Sequence, residues 1–452
     1  MTQSVTPSNV AFAYSREQLA SIVQDILKQA ATAGATACEA EISEGFGQNV
    51  TVRLGEVETI EYNRDKGVGV TVYVGQQKGH ASTSDFSPQA VADTVRAALS
   101  IARYTASDDC AGLADPALLA LNAPVLDLCY PWALPVEQAI ELARECEAAA
   151  QAADPRISNS EGATVSTQQS HFIYGNSLGF CNGYESSRHS LSASVIAEAE
   201  GAMQRDYWYS VARSAADLEP AARVGRIAGE RTARRLGARR IDTTQVPVLF
   251  EASLAAGLIG SLVSAISGGA LYRRSSFLLD SLGKQVCSPL VQIQERPHLA
   301  KGLASSPFDA EGVLTRDRDL VADGVLQGYF LGSYSARKLG MQSTGNAGGC
   351  HNLLVGSTGE DFAGLLRKMD RGLVVTELLG HGINPVTGDY SRGAAGFWVE
   401  NGQIQFPVEE VTIAGNLKEM LMGIVAIGND VLVRGSKQCG SILIDRMTVA
   451  GS

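Results

Sequence analysis

Cysteine is sparse and scattered along this 452-residue chain. Its eight thiols, at Cys38, Cys110, Cys129, Cys146, Cys181, Cys287, Cys350 and Cys439, form no Cys-x-x-Cys clip and no dense pattern. A disulfide framework is therefore excluded. The opening segment, MTQSVTPSNVAFAYSREQLA, lacks a basic stretch followed by an apolar one, so no secretion signal is expected. Reduced thiols without an export signal predict a cytoplasmic protein. Positive charge is also short: 37 basic minus 48 acidic residues gives −11. Such a chain repels phosphate backbones at long range, and nucleic-acid binding is not expected.

Phosphate loops are missing too. No Gly-x-x-x-x-Gly-Lys-Ser/Thr occurs, and the Gly-x-Gly runs at 45, 67 and 380 lack the third glycine of a dinucleotide loop. The six histidines, His80, His171, His189, His298, His351 and His381, include no pair three to five residues apart. No helix can then present two imidazoles on one face, and a self-contained zinc site is not expected. The uncharged stretch Ala252–Tyr272 has the length of a membrane span, but four Ser and four Gly dilute its apolar residues. It reads as a buried or subunit-facing helix, and no membrane segment is expected.

What is present describes an α+β protein. Ser15 and Gln18 make a capping box for a helix with the apolar stripe Leu19, Ile22, Val23, Ile26 and Leu27. Alternating strands follow at Val50, Val52 and Leu54, and again from Val68 to Val74. Ser87-Pro88 opens a second helix reaching about Tyr104, and a third begins near Pro135 and stops before Pro155. Strand-like runs between Thr164 and Tyr209 then lead to a helix opened by Asp217 and Pro220. Strands followed by a capped helix, twice over, suggest an internal duplication. The predicted division is an N-terminal α+β domain over 1–240, with a sub-repeat split near 110–135, and a C-terminal α+β domain over 241–452.

The second half starts with a strand at Gln245–Phe250. Asp323-Gly324 and Asn401-Gly402 mark two hairpin turns of type I′, which need positive φ at both central residues. Asn416 and Glu419 predict a capping box for a helix carrying Leu417, Met420, Leu421, Ile424 and Val425. Antiparallel hairpins with packed helices follow from this order.

Two motifs invite chemistry. Gly175-Asn176-Ser177-Leu178-Gly179 matches a nucleophile elbow, but the residues after it cannot easily make a helix, and a hairpin turn is the expected reading. Arg223, Arg226, Arg231, Arg234, Arg235, Arg239 and Arg240 crowd one helix and its tail. Without interleaved aromatics they read as a solvated face rather than a nucleic-acid patch.

Longer blocks carry more information. EVETIEYNRDKGVGVTVY (56–73), GLASSPFDAEGV (302–313), SYSARKLGMQSTGNAGG (333–349), GDYSRGAAGFWVENG (388–402) and TIAGNLKEM (412–420) resemble the PmbA/TldE branch of the TldD/PmbA proteins. The likeness runs from about Ala40 to Gly451. It implies a heterodimeric zinc metalloprotease of TldD-type and TldE-type subunits with an enclosed chamber, trimming short or unfolded peptides, including leader peptides. In the TldD branch a helix carries His-Glu-x-x-x-His, and a C-terminal cysteine completes the zinc site.

Here the matching helix is 258–271, and the motif positions fall at Gly260, Ser261 and Ala265. Only Cys439 still matches a ligand, and one thiolate cannot hold a catalytic zinc. The resemblance thus implies no catalytic residue, no metal ligand set and no cofactor bound by this chain alone, with zinc in a TldD-like partner. Isolated, the chain could instead pair with a second copy. Asp389, Arg392, Phe397 and Trp398 on the 388–402 hairpin are the candidates for substrate or interface contact. Two alternatives remain open: an autonomous hydrolase using Ser177, or a scattered Cys and His such as Cys181 and His189; and an interaction protein without proteolytic activity.

Overall fold

The computed structural model describes residues 11–451. Helix α1 (Arg16–Thr32) starts at the predicted box, with Gln18 N bonded to Ser15 Oγ and Ser15 N to the Gln18 side chain. Leu19, Val23 and Ile26 of its stripe are fully buried. The long strands β1 (Ala37–Arg53) and β2 (Glu56–Val74), then β3 (Gln77–Thr83) and helix α2 (Pro88–Tyr104), complete the first group. After the connection come helix α3 (Val136–Ala152), strands β4 (Ile157–Asn176), β5 (Cys181–Asn182), β6 (Glu185–Ala199) and β7 (Ala202–Ala212), and helix α4 (Ala221–Ala233).

These strands form one antiparallel sheet in the order β3-β2-β1-β4-β6-β7, with β5 added to β4. β1 and β4 meet at its centre, running from Glu39 opposite Asn176 to Val52 opposite Ala163. Alternation puts Cys38, Ala40, Ile42, Val50 and Val52 of β1 on one face. The first three lie under α1 and α2, and the last two under α3 and α4. The opposite face, with Glu39, Glu41 and Ser43, looks toward the C-terminal half.

The C-terminal half contains β8 (Thr244–Phe250), α5 (Ala252–Ala265), α6 (Gly268–Tyr272), β9 (Ile293–Glu295), β10 (Arg318–Ala322), β11 (Val325–Leu326), α7 (Ser333–Lys338), β12 (Leu353–Val355) and α8 (Phe362–Met369). It ends with β13 (Gly372–Leu379), β14 (Asp389–Glu400), β15 (Gln403–Asn416), α9 (Leu417–Met422), β16 (Ile424–Ile427), β17 (Lys437–Gln438) and β18 (Ile442–Ala450). Strands β15, β14, β13, β8 and β18 close on themselves, because β18 also pairs with β15. A second sheet runs β11-β10-β9-β12-β17. Both faces of β8 are covered: Val248 and Phe250 join the core holding α5, while Leu249 packs with α8.

Several expectations are corrected here. Leu54 does not continue the β1 alternation: it turns the chain with Gly55, at φ of 53° and 78°, and is 56% exposed. Helix α9 stops at Met422, so Ile424 and Val425 lie in a strand, with Ile424 opposite Ile444. Asn416 caps that helix through Lys418 N. The apolar stretch through 258–271 is two helices, because Ser267 pairs with Phe330 and Gly268 N bonds to Phe330 O. Among the described residues no helix is long and apolar enough to cross a membrane.

The arginine-rich helix is corrected most. Arg223 and Arg226 do face solvent, but Arg231 is buried between Asp206 of β7 and Glu251 at the head of α5. Arg234 also reaches Glu251, and Arg235 reaches Asp206 and Glu377 of β13. Arg240 meets Glu410 of β15 as well, so four of the seven arginines bind the two halves of the chain together through ion pairs.

Candidate functional site

Helix α5 turns Ala255, Leu258, Ile259 and Leu262 into the core. Its other edge carries Gly257, Gly260, Ser261 and Ser264 at helical spacing, all outside the fully buried set. Nothing lies within 4 Å of a Cβ built on Gly257, and one on Gly260 would touch the Lys437 stem at 3.5 Å. The two hydroxyls fold back on their own helix: Ser261 Oγ donates to Gly257 O at 3.3 Å and Ser264 Oγ to Gly260 O at 2.9 Å.

Cys439 lies just beyond Lys437, between β17 and β18. It is 1% exposed, and its Sγ donates to Gly440 O at 3.1 Å. Burial, reinforced by the nearby Asp430 charge, pushes its thiol up to about 12. It is a neutral thiol at physiological pH, whereas a zinc ligand is a thiolate. Its neighbours on α5 are poor donors for zinc: glycine, serine and alanine at 260, 261 and 265 offer no imidazole or carboxylate. Among the described residues no group of three or more His, Cys, Asp or Glu is placed to hold a metal ion. The residues present do not fit zinc, which needs about three protein ligands.

Among the described residues the alternative nucleophile, Ser177, is bonded to no His, Asp or Glu side chain. Ser177 sits in the turn between β4 and β5, where Asn176 Oδ1 accepts from the Leu178 and Phe180 amides. Its Oγ accepts from Cys38 N at 3.0 Å. This is the hairpin turn expected from Asn, Ser and Gly, not an elbow. Cys181 is exposed on β5, while His189 is buried, bonded at Nε2 to Tyr130 O and edge-on to Trp132.

Of the hairpin candidates, Asp389 is exposed and accepts from Thr387 Oγ1 and Asn416 Nδ2. Arg392 is half-buried on the same strand, beside Tyr390. Phe397 and Trp398 are core residues, 3% and 6% exposed. Successive residues of a strand point to opposite faces, and both faces of β14 are covered there: Phe397 packs with α8, Trp398 with the α5 side. The structure brings Asp389 and Arg392 to one end of β14 and takes the two aromatics out of reach of solvent.

Sequence reading missed two polar groupings. Glu295 on β9 is 1% exposed and receives Arg318 Nε at 2.7 Å, Asn346 Nδ2 at 2.8 Å, and His351 through its backbone N at 2.9 Å and Nδ1 at 3.0 Å. Burial opposes its ionisation, but the His351 bonds and the Arg318 charge outweigh it and hold the carboxyl down at about 2. The second grouping lines a cleft of about 890 Å³ between the N-terminal sheet and loops 310–311 and 347–348. Glu39, Glu41, Lys66, Lys78, His80 and Glu311 face it. Glu39 is fixed by the Tyr73 and Tyr174 hydroxyls at 3.0 and 2.7 Å. The alternation Cys38-Glu39-Ala40-Glu41-Ile42 was the available signal, since it sets acids opposite an apolar face. Such a cleft can hold a polar, extended chain through paired charges.

Residues 38–102, 129–236 and 243–451 match, in turn, domain 1, the central domain and the C-terminal domain of the PmbA/TldA metallopeptidases. The chain is 53% identical over 413 residues to the protein named Metalloprotease PmbA of Escherichia coli O157:H7, spanning 91% of this chain and 92% of that one. A Metalloprotease TldD homolog of Haemophilus influenzae Rd matches at 26% identity over 234 residues, 45% of this chain and 48% of the relative. The fold superposes at TM-score 0.91 and 27% identity on a crystal structure from Bacteroides thetaiotaomicron, described as a putative modulator of DNA gyrase, covering 96% and 98% of the two chains.

Proposed function

The chain belongs to the PmbA/TldA metallopeptidase family, and from that premise we propose that it is the non-catalytic, TldE-type subunit of a zinc metalloprotease. A TldD-like partner supplies the zinc and the general base; this chain completes the chamber and holds short or unfolded peptides, including leader peptides, in the cytoplasm. The observation that carries the reading is the donor set on α5. Gly260, Ser261 and Ala265 stand where the catalytic branch has its His-Glu-x-x-x-His, and the remaining cysteine is buried and neutral. The far higher identity to a PmbA relative than to a TldD homolog supports the assignment to the TldE side. The charged cleft beside Glu39 and Glu311 supports a peptide rather than an apolar ligand.

The test is reconstitution. The purified chain, a TldD-like subunit from the same genome and their mixture are assayed on an unstructured peptide, with zinc per chain measured alongside. Cleavage only by the mixture, with zinc travelling with the partner, is the expected result. Cleavage by this chain alone, with about one zinc bound through dialysis against a weak chelator, overturns it.

A further inference from the structure

The charged cleft of about 890 Å³ keeps its two signs apart. Its floor is the face of β2 that carries Gly67, Gly69 and Thr71. β1 lies on one side of that floor and β3 on the other. Glu39 is opposite Thr71, which is opposite His80, and Glu41 is opposite Gly69, which is opposite Ser82. Two strand spacings put the acids of β1 about 10 Å from the β3 backbone that carries Lys78 and His80. Among the described residues no ion pair joins the two walls. The Lys78 ammonium lies over the Tyr73 ring at 5.9 Å, and the polar partner of the His80 ring is the Thr71 hydroxyl at 3.0 Å.

The acidic wall is held ready for a cation. Tyr73 and Tyr174, both buried, each donate a hydroxyl to one Glu39 oxygen. These bonds fix the side chain and leave lone pairs for a further donor. Glu311 is tied at Oε2 by Ser333 N at 2.8 Å. Its charge reaches the same two phenols, which are raised by burial first, then by Glu39, with Glu311 adding to both. The two carboxylates therefore approach one spot. The floor beside them is open. A Cβ built on Gly67 meets nothing within 4 Å, and one on Gly69 would lie 3.3 Å from Cε1 of the His80 ring.

A ligand of one charge would satisfy one wall and leave the other unpaired. A zwitterion about 10 Å long satisfies both, and an extended peptide of about three residues has that length between its ends. We propose that this cleft binds peptides of about three residues by both free ends, the α-ammonium between Glu39 and Glu311 and the α-carboxylate at Lys78 with His80 beside it. This rests on the reading of the cleft as a peptide site and narrows it to short peptides with free termini.

The test is isothermal titration calorimetry on the full chain alone, with trialanine and its blocked forms. The free tripeptide binds, and acetylating its amine or amidating its carboxylate each weakens binding about tenfold. Glu39→Gln removes the preference for a free amine and keeps that for a free carboxylate; Lys78→Gln does the reverse. A merely structural defect cannot give this crossed pattern. Gly67→Val fills the floor and abolishes binding, while thermal unfolding stays at or above that of wild type. No binding of trialanine, equal binding of the blocked forms, or loss of both preferences in one variant overturns the proposal. An acetylated, amidated peptide with a central lysine that binds as tightly as trialanine shows the acids to take a side chain, which also refutes end recognition. Cleavage by the reconstituted mixture, with a chain that ignores peptide ends, separates failure of this proposal from failure of the peptidase reading.

Discussion

Arg231 of α4 and Glu251 at the start of α5 face each other across the seam between the two halves, Nη1 to Oε2 at 2.8 Å, both nearly out of solvent. Asp206 of β7 sits on the other side of Arg231 at 3.3 Å. Helix α5 is therefore fixed at its N-terminal end by a cation from the N-terminal half.

Removing that cation is expected to be costly. Arg231→Ala removes the cation shared by two buried carboxylates, leaving Glu251 to Arg234 and Asp206 to the more distant Arg235, and loss of one partner of a buried pair typically costs about 3–5 kcal/mol. Thermal unfolding should show a large fall for Arg231→Ala. Arg223→Ala, on the solvated side of the same helix, should stay within about 0.5 kcal/mol of wild type. Equal effects would mean that the seam does not depend on this pair.

Stability should follow pH through two groups of opposite sign. The Glu295 carboxyl is held at about 2 in the fold, below its ordinary value, so its contribution is present above about 4.5 and is lost as pH falls toward 2. The loss is about 3 kcal/mol. Burial pushes Asp309 up to about 6, despite three backbone N–H donors at Glu311, Val313 and Ala347. The fold therefore binds that proton more tightly than the unfolded chain does, and stability rises as pH falls from about 6 toward 4. Urea titrations across this range should show the rise and then the fall, and Asp309→Asn should flatten the first limb.

Two glycines on helices should respond oppositely to alanine. A Cβ on Gly225 of α4 would lie 1.9 Å from the Cys146 carbonyl of α3, so the helices must part. Overpacking of this kind costs about 3 kcal/mol. Gly257 of α5 has open space, and Gly257→Ala should stabilise the isolated chain by about 1 kcal/mol through helix propensity. Chemical denaturation of the two variants checks both signs.

The 388–402 hairpin separates fold from contact. Trp398→Ala should cost about 3–5 kcal/mol as a core cavity. Asp389→Asn should leave unfolding within about 1 kcal/mol of wild type. If Asp389 or Arg392 touches peptide in the reconstituted protease, its variant raises KM without lowering Tm. Unchanged kinetics in both would remove this hairpin from the substrate path.

Local features were legible in the sequence because their causes are local. Ser15 and Gln18 announce α1, Ser87-Pro88 announces α2, and Asp323-Gly324 and Asn401-Gly402 take the positive φ their turns require. Boundaries failed where one apolar period gave way to another: Ile424 and Val425 continue a helical stripe on paper but pair with β18 in space.

Only the tertiary structure decided the rest. Closing the barrel needs β15 to meet β18, and covering both faces of β14 buries Phe397 and Trp398, although their hairpin alone suggests exposure. Arg231 reads as a surface cation until Asp206 and Glu251, from opposite directions along the chain, surround it. The neutral Cys439 thiol and the ionised Glu295 carboxyl arise likewise, because burial and the charges that distant segments bring into contact set a proton's affinity.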